Sequence, residues 1–248
     1  MHPPGADTWI LPEELRDEQL LAAMAQLFVP VILPEYSATV VYADTFDWRL
    51  YRQEYLLHNH GHSWTLYHGE SCEVTLQQGG PQLRPPCFAA DFPPGRLREA
   101  LEPLTGVRCL LPLGTVHLQG RQYRLCNQDQ KTVVRLVIER QRPQGQGPEY
   151  KLVRLFAVRG YDEELEQCRL VLTAHGVEQE ISPLIGFDEA CRSGGRVPLD
   201  YTSKFSLNLH AEQTASQAVS TIYQQLLNSI RLNIPGVVAD WDVEFLHD

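Results

Sequence analysis

Apolar and polar positions alternate through the middle of the chain, which predicts a protein built mainly from β-strands. The clearest case is 132–140, where Val134, Leu136 and Ile138 form one apolar face and the residues between them mix charge with valine. A face of this mixed kind suits a barrel or a sheet with one semi-polar side. Further strands are predicted at 37–42, 54–59, 63–68, 73–76, 108–113, 116–118, 122–127 and 151–158.

Helical periodicity is found near both ends of the chain and twice among the strands. Residues 12–28, 94–104 and 162–174 are predicted helices, and Ser193-Gly194-Gly195 is a predicted loop. The longest helical pattern follows Thr214, where the sequence Thr-Ala-Ser-Gln fits a capping box. Its apolar stripe requires a partner, and it consists of Ala218, Ile222, Leu226 and Ile230, widened by Val219 and Leu227.

The overall charge is acidic. The chain of 248 residues holds 21 Lys and Arg against 31 Asp and Glu, a formal net charge of −10. This balance argues against a polyanion-binding surface over the whole chain, although it leaves a local basic pocket open. Lys151, Arg154 and Arg159 lack interleaved aromatic residues, so we expect no nucleic-acid partner. No apolar run approaches the roughly 20 residues of a bilayer span and no secretory signal is visible, so we expect no membrane partner and a cytoplasmic location.

The cysteines are widely scattered. None of the six forms a C-x-x-C pair, so neither a zinc site nor a dithiol redox motif is expected. Reduced, structural thiols are the simpler expectation.

The stretch from Tyr42 to Leu50 is the sharpest motif. Its sequence, YADTFDWRL, resembles the Y-x-D-T-x-D-x-x-L stretch of CYTH domains, the triphosphate tunnel family. Residues 64–69 resemble a later strand of that family, and 158–162 resemble a turn found in CYTH-like domains that precede CHAD domains. The resemblance implies an α+β fold: an antiparallel β-barrel or tunnel with flanking helices and a long C-terminal helix. In the family, basic side chains in the tunnel grip a triphosphate and acidic ones hold a divalent metal.

The last residues resemble a second family. Glu244-Phe245-Leu246-His247-Asp248 is similar to the opening of a CHAD domain, a helical domain linked to polyphosphate. We therefore expect a degenerate CYTH-like domain at 1–200 and the start of a truncated CHAD domain at 201–248. The resemblance implies that polyphosphate, or another polyanion, is bound by basic helices of the missing CHAD part. This arrangement agrees with the acidic balance of the present residues.

Departures from the CYTH pattern bear on catalysis. The family's E-x-E-x-K strand is absent, since 29–35 read VPVILPE, and the strand expected to carry L-R-x-R reads LLHNH at 56–60. The lysine expected after Thr65 is replaced around Tyr67 and His68. We therefore expect a non-catalytic module that requires no cofactor. A purely structural domain, with its tunnel filled by side chains, is a further possibility.

The alternative is a triphosphatase, or another phosphoanhydride hydrolase, that depends on Mg²⁺ or Mn²⁺. Its rearranged site would draw on Glu54, His58, His60, Arg135 and Glu139.

Each candidate in this set also has an ordinary structural explanation. His58 and His60 share one strand face and are weak metal candidates, or they belong to a partly solvated hairpin. Arg135 and Glu139 line a tunnel or form common ion pairs.

Asp44 and Asp47, in the CYTH-like motif, have two interpretations as well. They are either metal ligands or caps of the turn that follows the strand.

Overall fold

A computed structural model describes residues 7–68, 73–145, 147–180, 186–204, 207, 209–210 and 212–248. Cys72 and Gly69 of the sequence patterns lie outside these residues. The strands are β1 (Asp7–Ile10), β2 (Val29–Asp44), β3 (Tyr55–His60), β4 (Ser63–His68), β5 (Glu73–Gly79), β6 (Leu111–Cys126), β7 (Thr132–Pro143), β8 (Tyr150–Ala157) and β9 (Glu178–Glu180). The helices are α1 (Asp17–Met24), α2 (Arg96–Thr105), α3 (Asp162–Ala174), α4 (Phe187–Ser193), α5 (Ala215–Val238) and α6 (Glu244–His247).

The strands form one nine-stranded sheet with the order β5-β4-β3-β2-β6-β7-β8-β1-β9. Every pairing is antiparallel. Within the described ranges no pairing joins β5 to β9, so the sheet is open at both edges. The α+β class, the antiparallel sheet, the flanking helices and the long C-terminal helix are confirmed, whereas the described strands do not close into the expected barrel.

One face of the sheet is closed by α1 and α3. Alternate residues of β6, β7 and β8 point to these helices, because side chains alternate between the two faces of a strand. The resulting core cluster is apolar and includes Leu20, Met24, Tyr123, Leu125, Val134, Leu136, Ile138, Val153, Leu155, Leu165, Cys168 and Leu172. The opposite face, which carries Glu139, is named the Glu139 face below.

The separate strands predicted between 108 and 127 are wrong, because they form the single strand β6. Its glycines fall in the gaps between the predicted strands, and each permits a close approach. A Cβ at Gly114 would lie 2.5 Å from the carbonyl carbon of Ala190 in α4, and one at Gly120 would lie 2.7 Å from the Tyr36 ring. The glycines therefore let other groups pack directly on an unbroken strand.

The predicted helices differ in accuracy. The hairpin at 54–68 and the helices α2 and α3 are confirmed. The helix predicted at 12–28 is shorter, Asp17–Met24, because Pro12 lies in a turn before it and Phe28 leads directly into β2. The short helix α4 was missed, since seven residues give too few turns for a clear period. No helix in the described part of the chain combines the length and apolarity needed to cross a bilayer.

Helix α5 begins at the predicted capping box, where Thr214 Oγ1 accepts a hydrogen bond from the Gln217 amide. Only Asn233 and Gly236 of this helix are buried. The apolar stripe is largely exposed, since Val219, Leu226, Leu227 and Ile230 are each at least 40% exposed. The stripe thus lacks the partner that its pattern requires among the described residues.

The short helix α6 returns the chain to the sheet. Phe245 is 2% exposed and joins the core cluster that contains Phe46 and Trp48, with its ring centre 4.8 Å from that of Phe46. Residues 201–248 therefore contact the preceding part of the chain closely at α6. The domain boundary after residue 200 stays a prediction.

Candidate functional site

The CYTH-like motif forms a turn that is fixed by Asp44. This buried carboxylate accepts hydrogen bonds from the amides of Thr45, Leu50 and Tyr51, at 2.6, 2.9 and 2.8 Å. Burial raises the pKa of Asp44 to about 7, against the lowering effect of the three amide donors. The carboxylate therefore caps the turn, which is the structural alternative predicted for it.

Asp47 faces a buried arginine behind this turn. Its carboxylate accepts hydrogen bonds from Thr45 Oγ1 at 2.8 Å and from Arg49 Nε at 3.0 Å, and it lies 3.7 Å from Arg108 Nε. Burial alone would raise its pKa, but these hydrogen bonds and the two guanidinium charges hold the pKa of Asp47 below its usual value. Asp47 is therefore ionised and committed to a structural network.

The Arg108 network joins α6 to the turn. The Arg108 side chain is 0% exposed, and its guanidinium also contacts the carboxylates of Asp242, at 3.4 Å, and Asp248. Asp242 additionally accepts a hydrogen bond from the Cys109 amide at 3.0 Å. No sequence pattern predicts the burial of this arginine, since none of its neighbours in the chain marks it as buried.

Glu139 is the centre of a second polar cluster, on the Glu139 face of the sheet. Its carboxylate is 0% exposed, and it accepts hydrogen bonds from the Tyr36 hydroxyl at 2.5 Å and from Gln141 Nε2 at 2.8 Å. Arg154 lies 3.2 Å from the same carboxylate. Both oxygens of Glu139 are thus engaged by donors of this chain. Because burial and the neighbouring Glu139 charge disfavour the phenolate, the pKa of Tyr36 is raised, and the phenol remains a donor.

Gly120 makes this cluster possible. It lies between Tyr36 and Glu139 in the strand register, so that a side chain there would separate the two residues. Its missing side chain lets the Tyr36 ring cross β6 and reach the carboxylate.

We expect Gly120→Ala to lower the free energy of unfolding by about 1–3 kcal/mol, because the new methyl group would push the Tyr36 ring off β6. Chemical denaturation followed by circular dichroism measures the change. Gly79→Ala is the matched control, since its Cβ would meet nothing closer than 3.8 Å. Equal effects of the two substitutions would contradict the role of Gly120.

Two arginines stand side by side on the Glu139 face. Arg124 of β6 and Arg135 of β7 are direct cross-strand partners and are both exposed. Side chains in this relation have Cβ atoms about 5 Å apart, and like charges so placed repel. Within the described residues neither guanidinium has a carboxylate or another hydrogen-bond partner. As far as the described side chains go, the pair is therefore a centre of positive charge without a neutralising partner.

Arg154 extends this positive centre. It pairs in register with Val137, two residues along β7 from Arg135, which places it diagonally across from Arg135. Its Nε is buried and has no hydrogen-bond partner among the described residues. Glu139 is the only acidic residue in β6, β7 and β8. A locally basic surface thus exists within an acidic chain, as the sequence had left open.

The five residues of the alternative catalytic set occupy three separate places. Arg135 and Glu139 share β7 and one face of it, as predicted, but they lie four positions apart along the strand. His58 lies on β3 beside Tyr42, with its Nε2 3.3 Å from the Tyr67 hydroxyl, and the exposed His60 follows on the same strand face. Glu54 is exposed in a left-handed conformation just before β3, with φ of 61°. Their catalytic roles stay predictions.

The residues present do not fit a divalent metal. Mg²⁺ and Mn²⁺ prefer carboxylate oxygens with free coordination sites, whereas both oxygens of Glu139 already accept hydrogen bonds. Across the described ranges, no three His, Cys, Asp or Glu side chains converge in a group able to hold a metal ion. The five cysteines described are buried thiols without disulfide partners, and burial raises the pKa of the Cys109 thiol to about 12.

Solved structures of other proteins share the arrangement of strands and helices. A candidate adenylyl cyclase from Hippeastrum, described as having a dominant triphosphatase activity, superposes with a TM-score of 0.54 at 15% identity, over 80% of this chain and 100% of its own. The chain has a CYTH-like fold. At 15% identity, the similarity to this structure establishes the fold alone.

Two other CYTH-like neighbours superpose less closely. A candidate adenylate cyclase from Bacillus halodurans gives a TM-score of 0.46 at 14% identity, over 71% of this chain and 90% of its own. A protein from Pyrococcus horikoshii gives 0.43 at 9% identity, over 75% of this chain and 97% of its own. No protein-family model and no curated protein matches the chain.

Proposed function

We propose that the chain is a non-catalytic CYTH-like module that associates with phosphate-rich anions on its Glu139 face. The Arg124–Arg135 pair carries the proposal, because two adjacent guanidiniums that have no counter-charge among the described side chains favour an anion between them. Arg154, with its buried unpartnered Nε, provides a third donor nearby. Guanidinium groups bind phosphate oxygens in a bidentate manner, so a chain of phosphates suits this set.

We propose that the module does not hydrolyse its ligand because the Glu139 carboxylate is already occupied by donors of this chain. A metal-dependent triphosphatase requires carboxylates that are free to bind the metal and bridge it to phosphate. Glu139 instead accepts hydrogen bonds from Tyr36 and Gln141 and pairs with Arg154. The triphosphatase reported for the Hippeastrum protein is the alternative function for this chain.

Calorimetric titration with sodium tripolyphosphate tests the binding. We expect weak binding that falls with rising salt, and a loss of at least about tenfold in affinity in Arg135→Gln, because this variant removes one half of the pair. Arg140→Gln is the matched control, since Arg140 lies on the opposite face of β7 and pairs with Glu149 at 3.6 Å. Equal losses in both variants would point to nonspecific charge attraction instead.

Phosphate release from tripolyphosphate, ATP and thiamine triphosphate, in Mg²⁺ or Mn²⁺, tests the lack of catalysis. We expect none above the blank. Metal-dependent release that disappears in Arg135→Ala or His58→Ala would establish the triphosphatase instead.

A wider proposal concerns polyphosphate. The resemblance of residues 244–248 to the opening of a CHAD domain supports a role as the front module of a CHAD-domain protein in the cytoplasm, with polyphosphate bound by basic helices beyond α6. Reading the sequence that follows Asp248 in the gene tests this directly. A run of Arg and Lys at helical spacing is expected, and an acidic or disordered continuation would refute it.

A further inference from the structure

The Glu139 face carries cations but no free carboxylate on its three central strands. Of the seven Arg and Lys residues in β6, β7 and β8, Arg124, Arg135 and Arg154 lie on this face by register, and Glu139 is the single acidic residue of these strands. The Glu139 carboxylate is 0% exposed and satisfied by three donors of this chain. Over the described side chains of β6, β7 and β8, a metal ion brought to this face by a ligand would therefore meet guanidinium groups and no open carboxylate.

This arrangement distinguishes two forms of the same ligand. A free oligophosphate presents all its anionic oxygens to the arginines, whereas a Mg²⁺ complex has some of these oxygens occupied and carries two fewer negative charges. The bound Mg²⁺ would also be repelled by the cations of the Arg124–Arg135 pair. Both effects weaken the complex relative to the free anion.

We infer that the Glu139 face selects the metal-free form of an oligophosphate, so that Mg²⁺ opposes binding instead of supporting it. The inference rests on the proposed function. To that function it adds two points: the ligand binds in its metal-free form, and Mg²⁺ lowers the affinity. The guanidiniums of Arg124, Arg135 and Arg154 serve as the counter-charges that a metal would otherwise supply.

Glu139 then has a positioning role. By accepting from Tyr36 and Gln141 it is held in place, and it in turn fixes the Arg154 guanidinium at 3.2 Å. The Nε of Arg154 is left with an unmet hydrogen-bond requirement. Because the Nε itself is buried, a phosphate oxygen would contact the accessible part of the Arg154 side chain, which is 16% exposed.

Calorimetric titration of the full chain with tripolyphosphate, once with EDTA and once with excess MgCl₂ at equal ionic strength, tests the inference. We expect Mg²⁺ to weaken binding by at least about fivefold, because the pair of arginines responds to the ligand's net charge. Arg124→Gln should weaken binding in EDTA and reduce the difference between the two conditions. Arg140→Gln, on the opposite face of β7, should preserve both the affinity and the difference.

The outcomes separate this inference from the function on which it rests. Binding that is unchanged or strengthened by Mg²⁺ overturns the inference and leaves the anion-binding function intact. If tripolyphosphate binds in neither condition, both the inference and the anion-binding function are overturned. Weakening by Mg²⁺ that persists fully in the Arg124→Gln variant also overturns the inference, because the metal would then act elsewhere.

Discussion

Arg108→Met is expected to lower the free energy of unfolding by about 3–5 kcal/mol, because it leaves buried carboxylates without their cation. The guanidinium is 0% exposed and faces Asp47, Asp242 and Asp248. Methionine fills a similar volume, so the loss of stability would come from the missing charge more than from a new cavity. Urea unfolding followed by tryptophan fluorescence measures it.

Arg98→Met provides the control for this prediction. Arg98 forms an ion pair with Glu102 one turn along α2, and both side chains are substantially exposed. Such pairs contribute at most about 0.5 kcal/mol, so a small change is expected. A loss below about 1 kcal/mol in Arg108→Met would show that the network is not required for stability.

The pH dependence of stability in the Arg108 network follows from the lowered pKa of Asp47. Its pKa is lower in the folded chain than in the unfolded one. Its contribution to stability is therefore present above the unfolded-state pKa and is lost as the pH falls through the lowered value. Arg108→Met removes one of the causes of the lowering, so stability in this variant should fall less steeply on acidification.

Phe245→Ala is expected to lower the free energy of unfolding by about 3–5 kcal/mol, the usual cost of emptying a buried aromatic site. The ring packs against Phe46, Trp241 and the Arg108 guanidinium, with centroid distances of 4.8, 5.6 and 5.3 Å. It also lies directly on Gly236 of α5, where no Cβ would fit. Thermal and urea unfolding measure the change.

The neighbouring residue supplies the control for Phe245→Ala. Leu246 is 74% exposed, so Leu246→Ala is expected to change stability by less than about 0.5 kcal/mol. If the two substitutions had similar effects, α6 would not be docked on the core as described.

Local patterns predicted the elements whose determinants lie close together in the chain. The hairpin about Gly61 and the helix α3 depend on a turn residue and on a short period, and both were located from the sequence. The capping role of Asp44 was also foreseen, since its amide donors lie within seven positions of it. These features require no knowledge of the tertiary fold.

The binding surface could not be predicted in the same way. Arg135 and Glu139 were singled out because they share a strand, but the strand register was needed to place Arg124 beside Arg135. Tyr36 reaches Glu139 from 103 positions away, and only because Gly120 is between them. Gly120 falls between two predicted strands, and its role depends on a close approach made by a residue far away in the chain.

The attachment of α6 also sets an order of events during synthesis. Arg108 acquires its Asp242 partner 134 positions later, whereas the cluster around α1 and α3 is complete once Val177 has been made. A nascent chain can therefore close the first cluster before residues 242–248 have been made. Until then, Arg108 lacks two of its carboxylate partners, and the cluster that contains Phe46 lacks the Phe245 ring.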